Sequence, residues 1–199
     1  MLATRFFLSI AAAMFFSASS AQSDETAAKP APRVINITTD SAPGWLPSVA
    51  QGDMAEQTAR DYLAAEDAGR AEDAYGYFAD LNKQNTSLAD YKTNIEKMNA
   101  EIGPVIERRI VKVTWTKDSP QAPIPGVYAA IDLVSRFANA DRYCGFLILY
   151  QASAGGDFKV MREEANFMNN QTASASGADE AWAKLSTNCP NYSGPIAKP

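Results

Sequence analysis

The sequence predicts an α+β domain, with N-terminal helices packed on a curved four-stranded antiparallel sheet. Three observations carry that prediction. Apolar residues recur at helical spacing as far as Ile102 and at strand spacing beyond Pro104. The period changes at Gly103-Pro104, a pair that stops a helix. The strand-like runs that follow are joined by short connections, which makes neighbours antiparallel.

Residues 1–21 have the three-part layout of a secretory signal. Arg5 is its lone charge, Phe6 to Phe16 is apolar apart from Ser9, and Ser19-Ser20-Ala21 offers small residues for cleavage after Ala21. The apolar run falls short of the roughly 20 residues a membrane span needs. No cysteine stands at the new N-terminus, so no lipid anchor is expected, and no other stretch is apolar for long enough for membrane insertion after cleavage. Residues 22–43 are rich in Ala, Pro, Ser and Thr, and Ala28-Lys29-Pro30-Ala31-Pro32 reads as an extended tether. Val34-Ile35-Asn36-Ile37 has the character of a short strand.

The α+β domain is expected over 44–168. Its first helix spans Ser48 to Ala68, with Met54, Thr58, Ala59, Tyr62 and Leu63 on one face and Gly69 closing it. A second is expected from Ala71 to Leu81, with a turn over Asn82 to Thr86. Ser87 then N-caps a third helix, in which Leu88, Tyr91, Ile95, Met98 and Ile102 form a continuous apolar stripe. Ile106 to Lys117 alternates, placing Val111, Val113 and Trp115 on one face. Val127 to Phe137 alternates through Ala129, Ile131 and Leu133. Asn139-Ala140-Asp141 signals a tight turn. Tyr143 to Tyr150 is apolar enough for a central strand, and Phe158 to Phe167 is more polar, as an edge strand is. The tail, 169–199, is expected to hold a short helix over Asp179 to Leu185 and to be pinned by Cys189.

Charge and composition exclude several functions. The net charge of −5 argues against binding nucleic acid or anionic membrane by bulk charge. The chain has no histidine, which removes Ser-His-Asp and Cys-His catalysis and His-ligated metals. No metal and no cofactor is expected. In an oxidising compartment Cys144 and Cys189 are most simply a disulfide, the alternative being two separate thiols.

Catalysis, if any, falls to carboxylates, Tyr, Lys or Arg. Asp132 and Arg136 lie four apart in one strand, so they face one side. Asp132 is the candidate general base if it points into a pocket; otherwise it sits on a solvated face or in an ion pair, for example with Arg162. Glu163 and Glu164 are adjacent and point to opposite faces, which argues against a shared dyad. Tyr62, Trp115, Arg136, Tyr150 and Arg162 are the candidate ligand-binding residues, with plain core as the alternative for the aromatics. Arg108, Arg109 and Lys112 make a small basic cluster at a strand end.

Several segments together resemble a known family. They are the Asp67-Ala68-Gly69-Arg70 turn after Tyr62-Leu63, Arg108-Arg109 before a strand, Pro125-Gly126-Val127-Tyr128, and Ser135-Arg136-Phe137-Ala138-Asn139. Over 50–168 the chain resembles a bacterial family of exported proteins known only as a domain of unknown function. The resemblance implies a cystatin-like, or nuclear-transport-factor-two-like, cone. Ala140-Asp141-Arg142 departs from the lysine such members carry after that turn, and the cysteine pair is extra. No activity comes with the resemblance. The expected function is a non-enzymatic periplasmic module that binds a small molecule or a protein. A cone-fold enzyme using Asp132 as base, and a homodimer formed through the open sheet face, are the alternatives.

Overall fold

The computed structural model describes residues 34–177 together with Glu180 and Lys184. Helix α1 (Val49–Asp67) begins at a capping box. Ser48 Oγ accepts from the Gln51 amide and Gln51 Oε1 accepts from the Ser48 amide, so two otherwise orphaned N–H groups are satisfied. Its buried row runs Ala55, Thr58, Ala59, Tyr62, Leu63 and Glu66. Helix α2 (Ala71–Gly76) is shorter than expected, and α3 (Asp80–Asn85) occupies most of the predicted turn. The interruption is made by backbone pairing. Phe78 bridges Val160, with the Ala79 amide donating to the Val160 carbonyl and the Val160 amide to the Tyr77 carbonyl. Helix α4 (Leu88–Ile102) starts where Ser87 Oγ accepts from the Asp90 amide and stops at Gly103, whose φ of 73° suits glycine.

The sheet has five strands rather than four, and it is mixed rather than purely antiparallel. The order is β1 (Asn36–Ile37), β2 (Val105–Lys117), β3 (Gly126–Phe137), β4 (Ala140–Ala152) and β5 (Lys159–Met168). The four long strands form the expected antiparallel meander. β1 adds a parallel edge, with Asn36 beside Thr114 and Ile37 beside Trp115. Hydrogen bonds from Thr38 to the Trp115 carbonyl and from Ala42 to the Lys117 carbonyl continue the attachment, so the chain is held to β2 ahead of residue 44. β4 also starts earlier than expected, at Ala140, because Ala138 and Asn139 alone make the turn.

One face of the sheet packs on the helices. Trp115, Ala129, Ile131, Leu133, Leu147, Leu149 and Val160 meet Ala59, Tyr62, Leu63, Ala74, Tyr91 and Ile95 in one core. Each such large apolar side chain stabilises the fold by roughly 1.5–3 kcal/mol when fully buried. β2 departs from simple alternation. Ile110 pairs with Leu133 and Lys112 with Asp132, leaving Val111 as a bulge that is 41% exposed. The bulge puts Ile110, not Val111, against the core beside Val113 and Trp115. A second slip lies between Val105 and Glu107. No described helix is long and apolar enough to cross a membrane. The signal segment, residues 22–33 of the tether and Cys189 lie outside the described residues.

Candidate functional site

The helix-facing side of the sheet holds a buried acid cluster. α1 supplies Tyr62 and Glu66 at i and i+4, which places them on one face. α4 supplies Tyr91, and β5 supplies Glu163. Tyr62 Oη lies 2.6 Å from Glu66 Oε1 and 2.5 Å from Glu163 Oε2. Tyr91 Oη lies 2.6 Å from the same Glu66 oxygen and 3.3 Å from Tyr62 Oη. The two carboxyl groups also hydrogen-bond to each other.

Proton counting decides the charge of this cluster. A phenol has one hydrogen to donate. Tyr62 meets two carboxyl oxygens at hydrogen-bond distance, and Glu66 meets Glu163, so at least one of these contacts takes its proton from a carboxyl. Burial and the Glu163 charge push Glu66 well above the ordinary carboxyl range. Burial raises Glu163 as well, but hydrogen bonds from Tyr62 and Glu66, and the Arg108 charge, oppose the rise. The pair therefore holds a proton between Glu66 and Glu163. Burial and the neighbouring carboxylates push the Tyr62, Tyr91 and Tyr143 phenols up, so all three stay protonated.

Arg108 of β2 supports the cluster from the side. Its guanidinium forks onto Asp67 at 2.5 and 3.0 Å, while Nε donates to Ser135 Oγ at 3.1 Å. It also stacks over the Phe137 ring at 5.5 Å. Asn99 caps the backbone by donating to the Glu66 carbonyl at 2.9 Å.

A separate, open groove of about 460 Å³ crosses the other face of the sheet. Tyr128, Ile148 and Arg162 form its floor, and Asn82 and Asn85 of α3 stand at one side. Asp40 and Ser119 close one part of the rim by a short hydrogen bond, which holds the Asp40 carboxyl below its usual range. Arg162 is oriented by Glu164 and by the Phe146 ring. Tyr150 packs against Tyr128 with ring centres 5.1 Å apart.

The structure distributes the candidates of the sequence among several places. Arg162 lies in the groove, with Tyr150 behind Tyr128. Tyr62 belongs to the acid cluster. Trp115 is core, 2% exposed and edge-on to Phe158. Arg136 lies farther along β3 and pairs with Asp141 at 3.5 Å. Asp132 is 8% exposed and, by alternation from Ile131 and Leu133, faces away from the helices. It does not line the groove. Cys144 is buried in β4, and its expected partner lies outside the described residues. Sequence reasoning separated Glu163 from Glu164 by face but missed Glu66. The signal was there: the α1 stripe Thr58, Ala59, Tyr62, Leu63 continues at helical spacing to a glutamate.

Comparison with known proteins adds a family. A family model described as a protein of unknown function, DUF4019, matches residues 58–162. That span contains Tyr62, Glu66, Tyr91 and Arg108, and ends one residue before Glu163. No curated protein and no solved structure matches.

Proposed function

The chain belongs to the DUF4019 family, whose function is unknown, and on that footing we propose that it is an exported, non-enzymatic module that binds a small molecule in the groove over Tyr128 and Arg162. The groove is the observation that carries this reading. It offers a ring, an oriented guanidinium and three side-chain amides, those of Asn82, Asn85 and Gln121, around a volume suited to a small ligand. That set fits a small molecule with an apolar body and an anionic, hydrogen-bonding head. Export rests on the signal-like segment at 1–21, and a Cys144–Cys189 bridge on the oxidising compartment that export implies. The order of helices followed by a meander supports a cystatin-like cone.

The most perturbed acids favour binding over catalysis. They lie on the helix-facing side of the sheet and do not line the groove. The enzyme reading rests on Asp132, whose carboxyl is buried in β3.

Native mass spectrometry of the protein, purified gently from its own exported compartment, tests the proposal. The expected mass is that of the chain cut after Ala21, less two hydrogens, plus an adduct that leaves on denaturation. Tyr128→Ala combined with Arg162→Ala should abolish the adduct while the protein stays folded. An adduct that survives the double substitution removes the groove. A bare protein whose melting point no small-molecule library shifts removes ligand binding. Turnover of a found ligand that stops with Asp132→Asn would establish the enzyme instead.

A further inference from the structure

We infer that the outer edge of β2, from Val105 to Val111, pairs antiparallel with the same edge of a second copy of this chain. Among the described residues, β1 covers β2 only beside Thr114 and Trp115, and no strand pairs with the edge from Val105 to Val113. An uncovered edge offers a row of N–H and C=O groups to another strand. Here it also carries apolar side chains in water: Val105 is 37%, Ile106 59% and Val111 41% exposed.

The order of residues identifies the partner. Val105-Ile106-Glu107-Arg108-Arg109-Ile110-Val111 reads nearly the same about Arg108 in either direction, except that an acid and a base exchange places. A two-fold axis through Arg108 sets Val105 opposite Val111 of the partner subunit and Ile106 opposite the partner subunit's Ile110. It sets Glu107 opposite Arg109 of the partner subunit, twice by symmetry. Isologous contacts require this kind of self-complementarity. Glu107 and Arg109 already pair within the chain at 3.1 Å, so both are on one face and ready to exchange partners. The two Arg108 residues at the axis do not repel as bare charges, because each is forked onto its own Asp67.

β1 begins at Asn36, and Val34 and Ile35 before it form no strand with β2.

The test is sedimentation equilibrium of protein made from the full chain, purified as the cell delivers it. The wild type should dimerise. Arg109→Glu places like charges opposite at two positions and should weaken the dimer at least about tenfold. Adding Glu107→Arg to Arg109→Glu restores opposite charges and should restore the dimer. Ile106→Lys should dissociate it by a route independent of that charge register. Circular dichroism checks that each variant is folded, as expected for exposed positions. A monomeric wild type overturns the inference. So does a dimer indifferent to Arg109→Glu and Ile106→Lys, or a double variant as weak as the single one.

Discussion

Glu66→Gln is the most informative perturbation of the buried cluster. In the folded protein Glu66 and Glu163 hold a proton between them. In the unfolded chain both carboxyls ionise with a pKa of about 4.3. Folding above that pH therefore takes up a proton. Because the folded values are raised, the contribution to stability is fully present below the unfolded pKa. It is lost as pH rises towards the folded value. One retained proton gives a slope of about 1.4 kcal/mol per pH unit above the unfolded value, for as long as the folded site stays protonated. Even one pH unit is then a sizeable share of the roughly 5–15 kcal/mol that holds a typical domain together. The window is clean because the chain has no histidine to titrate in it. Asp40 and Glu72, held below their usual range by hydrogen bonds, act at lower pH and with the opposite sign. A glutamine at position 66 supplies an N–H for Glu163 and an oxygen for the two phenols without a titrating proton. Urea unfolding at several pH values in this window measures the slope. The wild type should lose stability as pH rises, and Glu66→Gln should be nearly flat. Equal slopes for the two proteins would refute the shared-proton assignment.

Three further predictions test the surroundings. Tyr91→Phe removes one donor to Glu66 and should cost about 1–2 kcal/mol in urea unfolding, and the decline with pH should extend to higher pH because that donor favours the ionised acid. Arg108→Met breaks the fork onto Asp67 and removes the positive charge that restrains Glu163. With both partners about a fifth exposed, the expected loss is about 1–2 kcal/mol, read by the same titration. Gly145→Ala would place a methyl 2.5 Å from the Glu164 carbonyl oxygen, so β4 and β5 must part next to Glu163. It should cost about 1–3 kcal/mol and speed amide exchange in β5, and an unchanged exchange pattern would contradict the packing described.

Much of the fold was legible because local rules and global packing agree there. Ser48, Ser87 and Gly103 cap helices as their chemistry dictates, and β3 alternates without interruption through Ala129, Ile131 and Leu133. The failures arise where distant segments decide. The break after Gly76 is imposed by Val160, more than eighty residues on, which no helical periodicity encodes. β1 is too short to declare its direction, since two residues of pattern fit either orientation. The acid cluster was half legible. Tyr62 stood out as an aromatic and Glu163 by its face. Their meeting with Glu66 and Tyr91 depends on three elements docking, which is tertiary information. A glutamate on an apolar stripe is nevertheless a warning that can be read beforehand, because a buried carboxyl must find partners.

The two slips in β2 act as phase shifts in a period of two. After Val111 the odd-numbered residues Val113 and Trp115 face the helices, whereas before it the even-numbered Arg108 and Ile110 do. Arg108 reaches Asp67, and its charge reaches Glu163, because of that half-period offset. The electrostatics of the acid cluster are thus set by the parity of a strand that contributes no acid to it. Parity is changed by insertion and deletion, not by substitution. Losing a single residue between Arg108 and the bulge at Val111 would turn Arg108 outward although every member of the cluster kept its identity, so in this domain the spacing between positions carries functional information alongside the residues themselves.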